Sequence, residues 1–157
     1  MKRIVVLCLV ISLVLSGCTP YVTTIDDEWG ISLSAKDVTP TGLTLLIEQK
    51  GGHPSGELST GTWFKLEEKT EDDWVEVSTN PLIDFAWTME AYMIQKDDVT
   101  EFKVDWKWLY GILEPGAYRI SKEITDLKVA GVFDKKIYTY EFCIENTGKQ
   151  IRCPVGE

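Results

Sequence analysis

The alternation of apolar and polar residues in the segment EFKVDWKWLY, Glu101 to Tyr110, is the strongest constraint on what this chain can fold into. The even positions carry the apolar side chains, which are Phe102, Val104, Trp106, Trp108 and Tyr110. A period of two residues over this length indicates a β-strand that buries one face. Because ten residues exceed the length of most strands, we expect this strand to bend or end near Trp108.

The same period recurs along most of the chain. AYRISKEI directs Tyr118, Ile120 and Ile124 to one side, and IYTYEFCI does so with four residues, Tyr138, Tyr140, Phe142 and Ile144. Four shorter segments show the same period, ISLSAKDV (31–38), LTLLIEQ (43–49), TWFKLEEK (62–69) and DWVEVS (73–78). Phe64 and Leu66 share one face of the third segment, and Val75 and Val77 share one face of the fourth. The segment GGHPSGELSTG, 51–61, has the Gly, Pro and Ser content of a loop, and 81–98 shows no clear period. The spacing predicts an all-β fold of seven or eight antiparallel strands packed as a sandwich.

Between two of these strands, the run W…YG…L.PG.YR contains Leu113, Pro115, Gly116 and Tyr118. These four residues resemble the corner before the penultimate strand of immunoglobulin-like sandwiches, where a Tyr hydroxyl bonds back to the connecting turn. From about residue 31 to residue 145 the chain looks like the bacterial immunoglobulin-like domain of exported proteins and lipoproteins in Gram-positive bacteria. The resemblance implies an immunoglobulin-like antiparallel β-sandwich in an extracytoplasmic setting and supplies no catalytic residues.

The amino-terminal segment has the pattern of an export signal. Lys2 and Arg3 precede an apolar run, 4–15, that is shorter than the roughly 20 residues a membrane-spanning helix needs. Leu15, Ser16, Gly17 and Cys18 follow and resemble the lipobox of bacterial lipoproteins. This implies cleavage before Cys18, diacylglycerol on its thiol and an acylated new amino terminus, which would hold the protein at the extracytoplasmic face of the cell membrane.

These features divide the chain into a signal peptide (1–17), a lipidated Cys18 with a short tether (18–28) and one domain with a carboxy-terminal tail (29–157). The mature chain carries 14 basic and 25 acidic residues, a net charge of −11. A field of this sign repels nucleic acid and other polyanions, so we expect no nucleic-acid partner.

Two cysteines remain after Cys18, because Cys8 leaves with the signal peptide. Cys143 and Cys153 flank ENTGKQ, a turn-forming sequence, and a hairpin there would place them opposite each other. A disulfide that pins the tail suits an exported protein, and two free thiols are the alternative.

The sequence offers little for catalysis, and we expect no enzyme, metal or cofactor. His53 is the single histidine, and its neighbour Ser55 lacks an evident third partner for a triad. The acidic clusters at 26–28, 71–73 and 97–98 lack the ligand spacing of a calcium loop and fit solvated turns.

Six tryptophans are a surplus for a chain of this size. Most are expected in the core, whereas Trp74, Trp87 and Trp108 are candidates for contact with a protein or glycan partner at the cell envelope. The loops predicted at 51–61 and 128–136 are further candidates. The sequence thus favours a surface-anchored binding module, and a proteinase inhibitor of immunoglobulin-like fold is the alternative.

The anchor is testable by replacing the lipidation site. Cys18→Ala removes the thiol that accepts diacylglycerol, so we expect the variant to leave the membrane fraction, which immunoblotting of fractionated cells would measure. A Cys143→Ala variant, which retains the lipobox, is the matched control. Membrane association of Cys18→Ala at the wild-type level would contradict the lipoprotein hypothesis.

Overall fold

The computed structural model describes residues 27–145, and these form two antiparallel sheets packed face to face. The elements in chain order are β1 (Ile31–Thr39), β2 (Gly42–Gln49), β3 (Glu57–Lys69), β4 (Trp74–Glu76), β5 (Tyr92–Met93), β6 (Val99–Asp105), α1 (Lys107–Tyr110), β7 (Gly116–Val129) and β8 (Val132–Ile144). Eight strands and one short helix confirm the predicted all-β sandwich. Nothing helical within 27–145 has the length and apolarity that a membrane span requires.

The first sheet has the strand order β1-β2-β6, and the second has β4-β3-β7-β8, with β5 paired to β3. Inward side chains follow the predicted alternation, because each sheet hides one face and every second residue points to it. Leu45, Ile47, Leu66, Ile120 and Ile124 are fully buried between the sheets. The alternation predicted for 118–124 and 138–144 is also confirmed, with Tyr138 and Tyr140 half-buried and Phe142 and Ile144 buried.

The sandwich has two ends, which we name by their contents. The amino-terminal end contains Asp27, the turn after β2, the loop before β3 and the β7–β8 turn. The corner end contains the β1–β2 turn, α1 and the start of β7. The register fixes this division, because Ile31 pairs with Gln49 at the first end and Thr39 pairs with Gly42 at the second.

The alternation of 101–110 breaks after Trp106, earlier than the pattern predicted. Asp105 Oδ1 accepts the Lys107 backbone N–H at 2.9 Å, and α1 begins there. A helical turn advances about 100° per residue rather than 180°, so Leu109 becomes buried and Trp108 is 43% exposed. The prediction that Trp108 lies on the buried face with Val104 is therefore wrong, and the predicted end near Trp108 is three residues too late.

Both predicted loops are shorter than expected. β3 begins at Glu57, because Leu58 and Thr60 are buried and the Thr60 hydroxyl donates to the Glu123 carbonyl at 2.7 Å. The segment 128–136 is a tight hairpin in which Val129 pairs with Val132, not an open loop. Gly131 takes a φ of +81° in its turn, a conformation that glycine adopts without strain.

Two other segments also depart from the predicted pattern. In β4, Val75 is exposed and Val77, just beyond the strand, packs on the core, so the two do not share a buried face. The segment 81–98 contains one short strand, β5, and is otherwise irregular.

Two hydrogen bonds hold the corner before β7, and one of them links it to the β1–β2 turn. Leu113 is buried, and its backbone N–H donates to the Pro40 carbonyl at 2.8 Å. The Tyr118 hydroxyl donates to the Glu114 carbonyl at 2.9 Å, and burial raises the pKa of this phenol to about 12. A Cβ on Gly116 would lie 3.2 Å from the Tyr118 ring, so glycine leaves room for the tyrosine.

Removal of the corner hydroxyl tests this account. Tyr118→Phe leaves the Glu114 carbonyl without its donor, and we expect a loss of about 1 kcal/mol or more in the free energy of unfolding. Denaturant titration would measure it. Tyr140→Phe is the matched control, because the hydroxyl of half-buried Tyr140 makes no hydrogen bond within residues 27–145 and its loss should change little. Equal effects of the two substitutions would contradict the role of the corner bond.

Candidate functional site

The structure describes one of the three cysteines for which the sequence predicts a modification. Cys18 and Cys153 lie outside the described residues. Cys143 lies in β8, half-buried and opposite Ala117 of β7, with its side chain on the face away from the core. The disulfide between Cys143 and Cys153 and the lipid on Cys18 therefore stay predictions.

The structure gives Ser55 a carboxylate neighbour but does not assemble a catalytic triad. The Ser55 hydroxyl and backbone N–H both donate to Oδ2 of buried Asp126 at 2.8 Å. Burial opposes ionisation of Asp126, but these hydrogen bonds outweigh it and lower its pKa. His53 is exposed, and its backbone N–H, not its ring, is the group that bonds, to the Glu28 carbonyl. A triad needs the imidazole between serine and carboxylate, whereas here the serine binds the carboxylate directly and closes the loop before β3.

Trp87 and Trp108, two of the predicted contact residues, come together with Phe85. The rings form mutual edge-to-face pairs: Phe85 and Trp87 have centroids 5.5 Å apart, Phe85 and Trp108 5.7 Å, and Trp87 and Trp108 6.1 Å. Phe64 from the core supports Trp87 at 5.1 Å. Such pairs hold aromatic rings in place without full burial, so the cluster presents a preformed apolar surface.

This cluster lies at one end of a groove of about 490 Å³ between β6 and the segment before β5. Trp87, Trp108, Tyr92 and Phe102 contribute aromatic surface to its lining. The far wall is held by Thr62, whose hydroxyl donates to the Thr88 carbonyl at 3.1 Å. We name this site the aromatic groove.

The near wall of the aromatic groove is an unpaired sheet edge. Within residues 27–145, β6 pairs with β2 and with no strand on its other side. An edge strand presents backbone N–H and C=O groups that can pair with another chain. The charged side chains that line the groove are Glu90, Glu101, Asp105 and Lys103, so its local balance is acidic.

Trp74, the third predicted contact residue, is not part of the groove. It begins β4, and the guanidinium of Arg119 lies 4.9 Å from its ring centroid. Arg119 donates to both carboxylate oxygens of Glu67, at 2.8 and 3.0 Å, and thereby lowers the Glu67 pKa. Trp74 thus packs over an ion pair on the outer face of the second sheet, which accounts for its position without a partner.

A buried lysine underlies the groove. The β3–β7 register passes from Thr60 opposite Ile124 to Phe64 opposite Lys122, so residues 61–63 bulge out. Lys122 is fully buried, and its Nζ donates to the Gly61 and Trp63 carbonyls that the bulge leaves without strand partners. The same Nζ lies 3.8 Å from the Phe102 ring centroid. Lys122 therefore fixes the bulge that forms the groove wall.

Burial lowers the pKa of Lys122 to about 7, and a coulombic contribution from Glu123 opposes this only in part. A neutral amine still has two N–H groups, one for each of the two bulge carbonyls. Sequence reasoning passed over this residue, although its position between Ile120 and Ile124 on the inward register was a visible signal. Phe85 and Phe102 were also not identified as site residues, because their proximity depends on the fold.

Within residues 27–145 no three His, Cys, Asp or Glu side chains come close enough together to hold a metal ion. A family model described as a bacterial Ig-like domain matches residues 27–149 of the chain. The match confirms the resemblance inferred from the corner motif. No curated protein and no solved structure matches the chain.

The pKa of Lys122 makes stability depend on pH in a defined window. Between about pH 7 and pH 10 the unfolded lysine is protonated and the folded one is neutral, so the free energy of unfolding should rise with pH. From pH 7 to 9.5 we expect a gain of about 3 kcal/mol, which denaturant titrations at several pH values would measure. Well below pH 7 Lys122 is protonated in both the folded and the unfolded state, so it adds no pH dependence to the free energy of unfolding there.

Lys122→Met should flatten this rise, because methionine does not titrate. Lys103→Met, at an exposed position of β6, is the matched control and should retain it. A wild-type free energy that stays level from pH 7 to 9.5 would contradict the neutral state of Lys122.

Proposed function

Because the chain belongs to the family of bacterial Ig-like domains, we propose that it is an extracytoplasmic interaction module, anchored through lipid on Cys18, that binds its partner in the aromatic groove. The observation that carries the proposal is the pairing of exposed, preorganised aromatic rings with an unpaired sheet edge. Phe85 and Trp108 stand outside the core cluster, whereas Trp87 connects them to it through Phe64. The module acts by presentation and has no catalytic role.

The aromatic cluster suits binding more than folding. Trp108 and Phe85 are 43% and 37% exposed, and a soluble domain gains little stability from large apolar rings left in water. Aromatic side chains dominate the energetics of many protein interfaces, because they bury much area and lose little side-chain entropy. Since their mutual contacts already fix these rings, a partner does not have to order them.

The edge strand favours an extended polypeptide as the partner. A segment that lies along β6 can add a strand to the first sheet through backbone hydrogen bonds and place alternate side chains against the rings. The acidic lining, with Glu90, Glu101 and Asp105 against Lys103, favours a neutral or basic segment. A glycan that stacks on Trp108 is the competing partner class.

Photo-crosslinking in living cells tests the proposal. A photoreactive amino acid in place of Lys103, whose exposed side chain lines the groove, should capture one dominant protein, identified by mass spectrometry. Trp108→Ala in the same chain should reduce capture at least about tenfold, as for a truncated interface hot spot. Trp74→Ala, which removes a ring outside the groove, is the matched control and should leave capture unchanged.

The pattern of capture separates the partner classes. If Trp74→Ala and Trp108→Ala reduce the captured protein equally, or if neither substitution reduces it, the groove is not the binding site. Recovery of no protein above a Cys18→Ala control would favour a glycan or small ligand, and saccharide titration monitored by tryptophan fluorescence would then follow.

The alternative function, proteinase inhibition, rests on the resemblance of the PG.Y corner to that of some inhibitors with this fold. At this corner the side chains of Leu113 and Tyr118 are buried, and the Tyr118 hydroxyl donates to the Glu114 carbonyl. The alternative predicts that the soluble domain lowers the activity of an added protease in a concentration-dependent manner.

A further inference from the structure

The hairpin of β7 and β8 carries exposed apolar side chains that the sandwich does not cover. Leu127 pairs with Phe133 and Val129 pairs with Val132, which places both pairs near the turn at Ala130 and Gly131. Val129 and Val132 are more than half exposed, and Leu127 and Phe133 are 40% and 48% exposed. We call these four residues and their turn the hairpin tip.

The hairpin tip lies at the end of the sandwich from which the chain leads back toward Cys18. Asp27, the first described residue, accepts the Tyr138 hydroxyl of β8 at 2.8 Å, and Lys136 Nζ lies 3.5 Å from its other carboxylate oxygen. Glu28 pairs with the same lysine at 3.1 Å. The amino terminus of the domain is therefore fastened to the hairpin itself, a few residues from its tip.

The distances allow the tip to reach a membrane to which Cys18 is attached. The turn at Gly131 lies five residues beyond Lys136, the lysine that pairs with Asp27, or about 16 Å at strand spacing. Eight residues lie between Cys18 and Asp27. The nine Cα–Cα steps that join them span at most about 32 Å. The anchor thus holds this end of the sandwich within reach of the bilayer and does not hold the tip away from it.

We propose that the hairpin tip inserts its apolar side chains into the membrane interface and so fixes the orientation of the domain on the lipid surface. The proposal rests on the lipid anchor at Cys18. Val129, Val132 and Phe133 enter the boundary between headgroups and acyl chains, as the apolar faces of interfacial segments do. Because the lipid on Cys18 already holds the domain at the membrane, the tip meets the bilayer at a high effective concentration. A small apolar area is therefore enough for insertion.

The charges around the tip are compatible with a lipid surface, although the mature chain is strongly acidic. The segment 127–137 contains three lysines and one aspartate. Lys128 pairs with Asp134 at 2.7 Å, and Lys135 pairs with Glu123 at 2.7 Å. Long lysine side chains can keep their ammonium groups at the headgroups while neighbouring apolar residues insert.

This orientation would direct the aromatic groove away from the membrane. Asp105, at the groove end of β6, pairs with Gly42 at the corner end, and Val99 pairs with Glu48 near the amino-terminal end. Trp108 follows Asp105 in α1, so the aromatic cluster lies toward the end opposite the hairpin tip. Insertion of the tip would present the groove to partners in the envelope.

Labelling from within the bilayer tests the proposal on the full-length lipidated protein. The protein is reconstituted in vesicles of phosphatidylglycerol and phosphatidylethanolamine that contain a bilayer-confined diazirine probe. Trypsin releases the tip as one peptide, Val129–Lys135, and part of the groove region as Trp108–Arg119. We expect the tip peptide to carry several-fold more label than the groove peptide.

Two variants make the test specific. Val132→Asp/Phe133→Asp should lose most of the tip label while the protein still sediments with the vesicles through Cys18. Ile112→Asp, which changes an exposed apolar residue at the corner end, is the matched control and should keep the tip label.

The outcomes separate the tip from the anchor. Sedimentation with vesicles without excess label in the tip peptide overturns the insertion proposal and leaves the anchor intact. Failure to sediment overturns the anchor and, with it, the insertion proposal. Concentration-dependent protection of the tip from a water-soluble diazirine, in the absence of vesicles, would identify a second copy of the chain as its cover and also overturn insertion.

Discussion

The burial of Trp106 decides how the chain leaves the first sheet, and the position of the candidate site depends on it. The ring is fully buried, its Nε1 donates to the Pro40 carbonyl at 3.0 Å, and its backbone N–H donates to the Thr41 carbonyl at 3.0 Å. These bonds hold the end of β6 against the β1–β2 turn. The helical turn that follows buries Leu109 and releases Trp108 to the surface, where it meets Phe85 and Trp87.

A second constraint acts from the other sheet, through Lys122. A bulge of three residues would leave carbonyls without partners in a buried region, which is costly unless a donor reaches them. Lys122 supplies that donor from the neighbouring strand, and its depressed pKa reflects the low polarity around it. The bulge carries Thr62, which holds the segment of Trp87 against the groove.

The fold separates its exposed features between two ends. The corner end and the edge of β6 carry the aromatic groove, which we propose as the binding site. The amino-terminal end carries Asp27, fastened to β8, and the hairpin tip, which we propose as a membrane contact. Antiparallel strands that run the full height of the sandwich keep these features apart, and a rigid module of this kind can hold a partner site at a fixed height above a lipid anchor.

The sequence by itself determined the sandwich, because alternation with a period of two records which face of each strand meets the core, and this information is local. It also determined the corner residues around Tyr118, whose bond spans four positions in the chain. The lipobox and the two later cysteines are likewise sequence features, and their chemistry stays a prediction.

Tertiary structure alone decided the aromatic groove, the exposure of Trp108 and the role of Lys122. The donors and acceptors involved lie about 60 or more residues apart, as with Trp106 and Pro40 or Lys122 and Gly61, and no local pattern encodes such pairs. The start of β3 at Glu57 could not be predicted from the sequence either. Its Gly- and Ser-rich segment becomes a strand only by pairing with the distant strand β7. Alternation specifies which side chains are buried, whereas edges, bulges and the grooves between them arise from which distant strands meet.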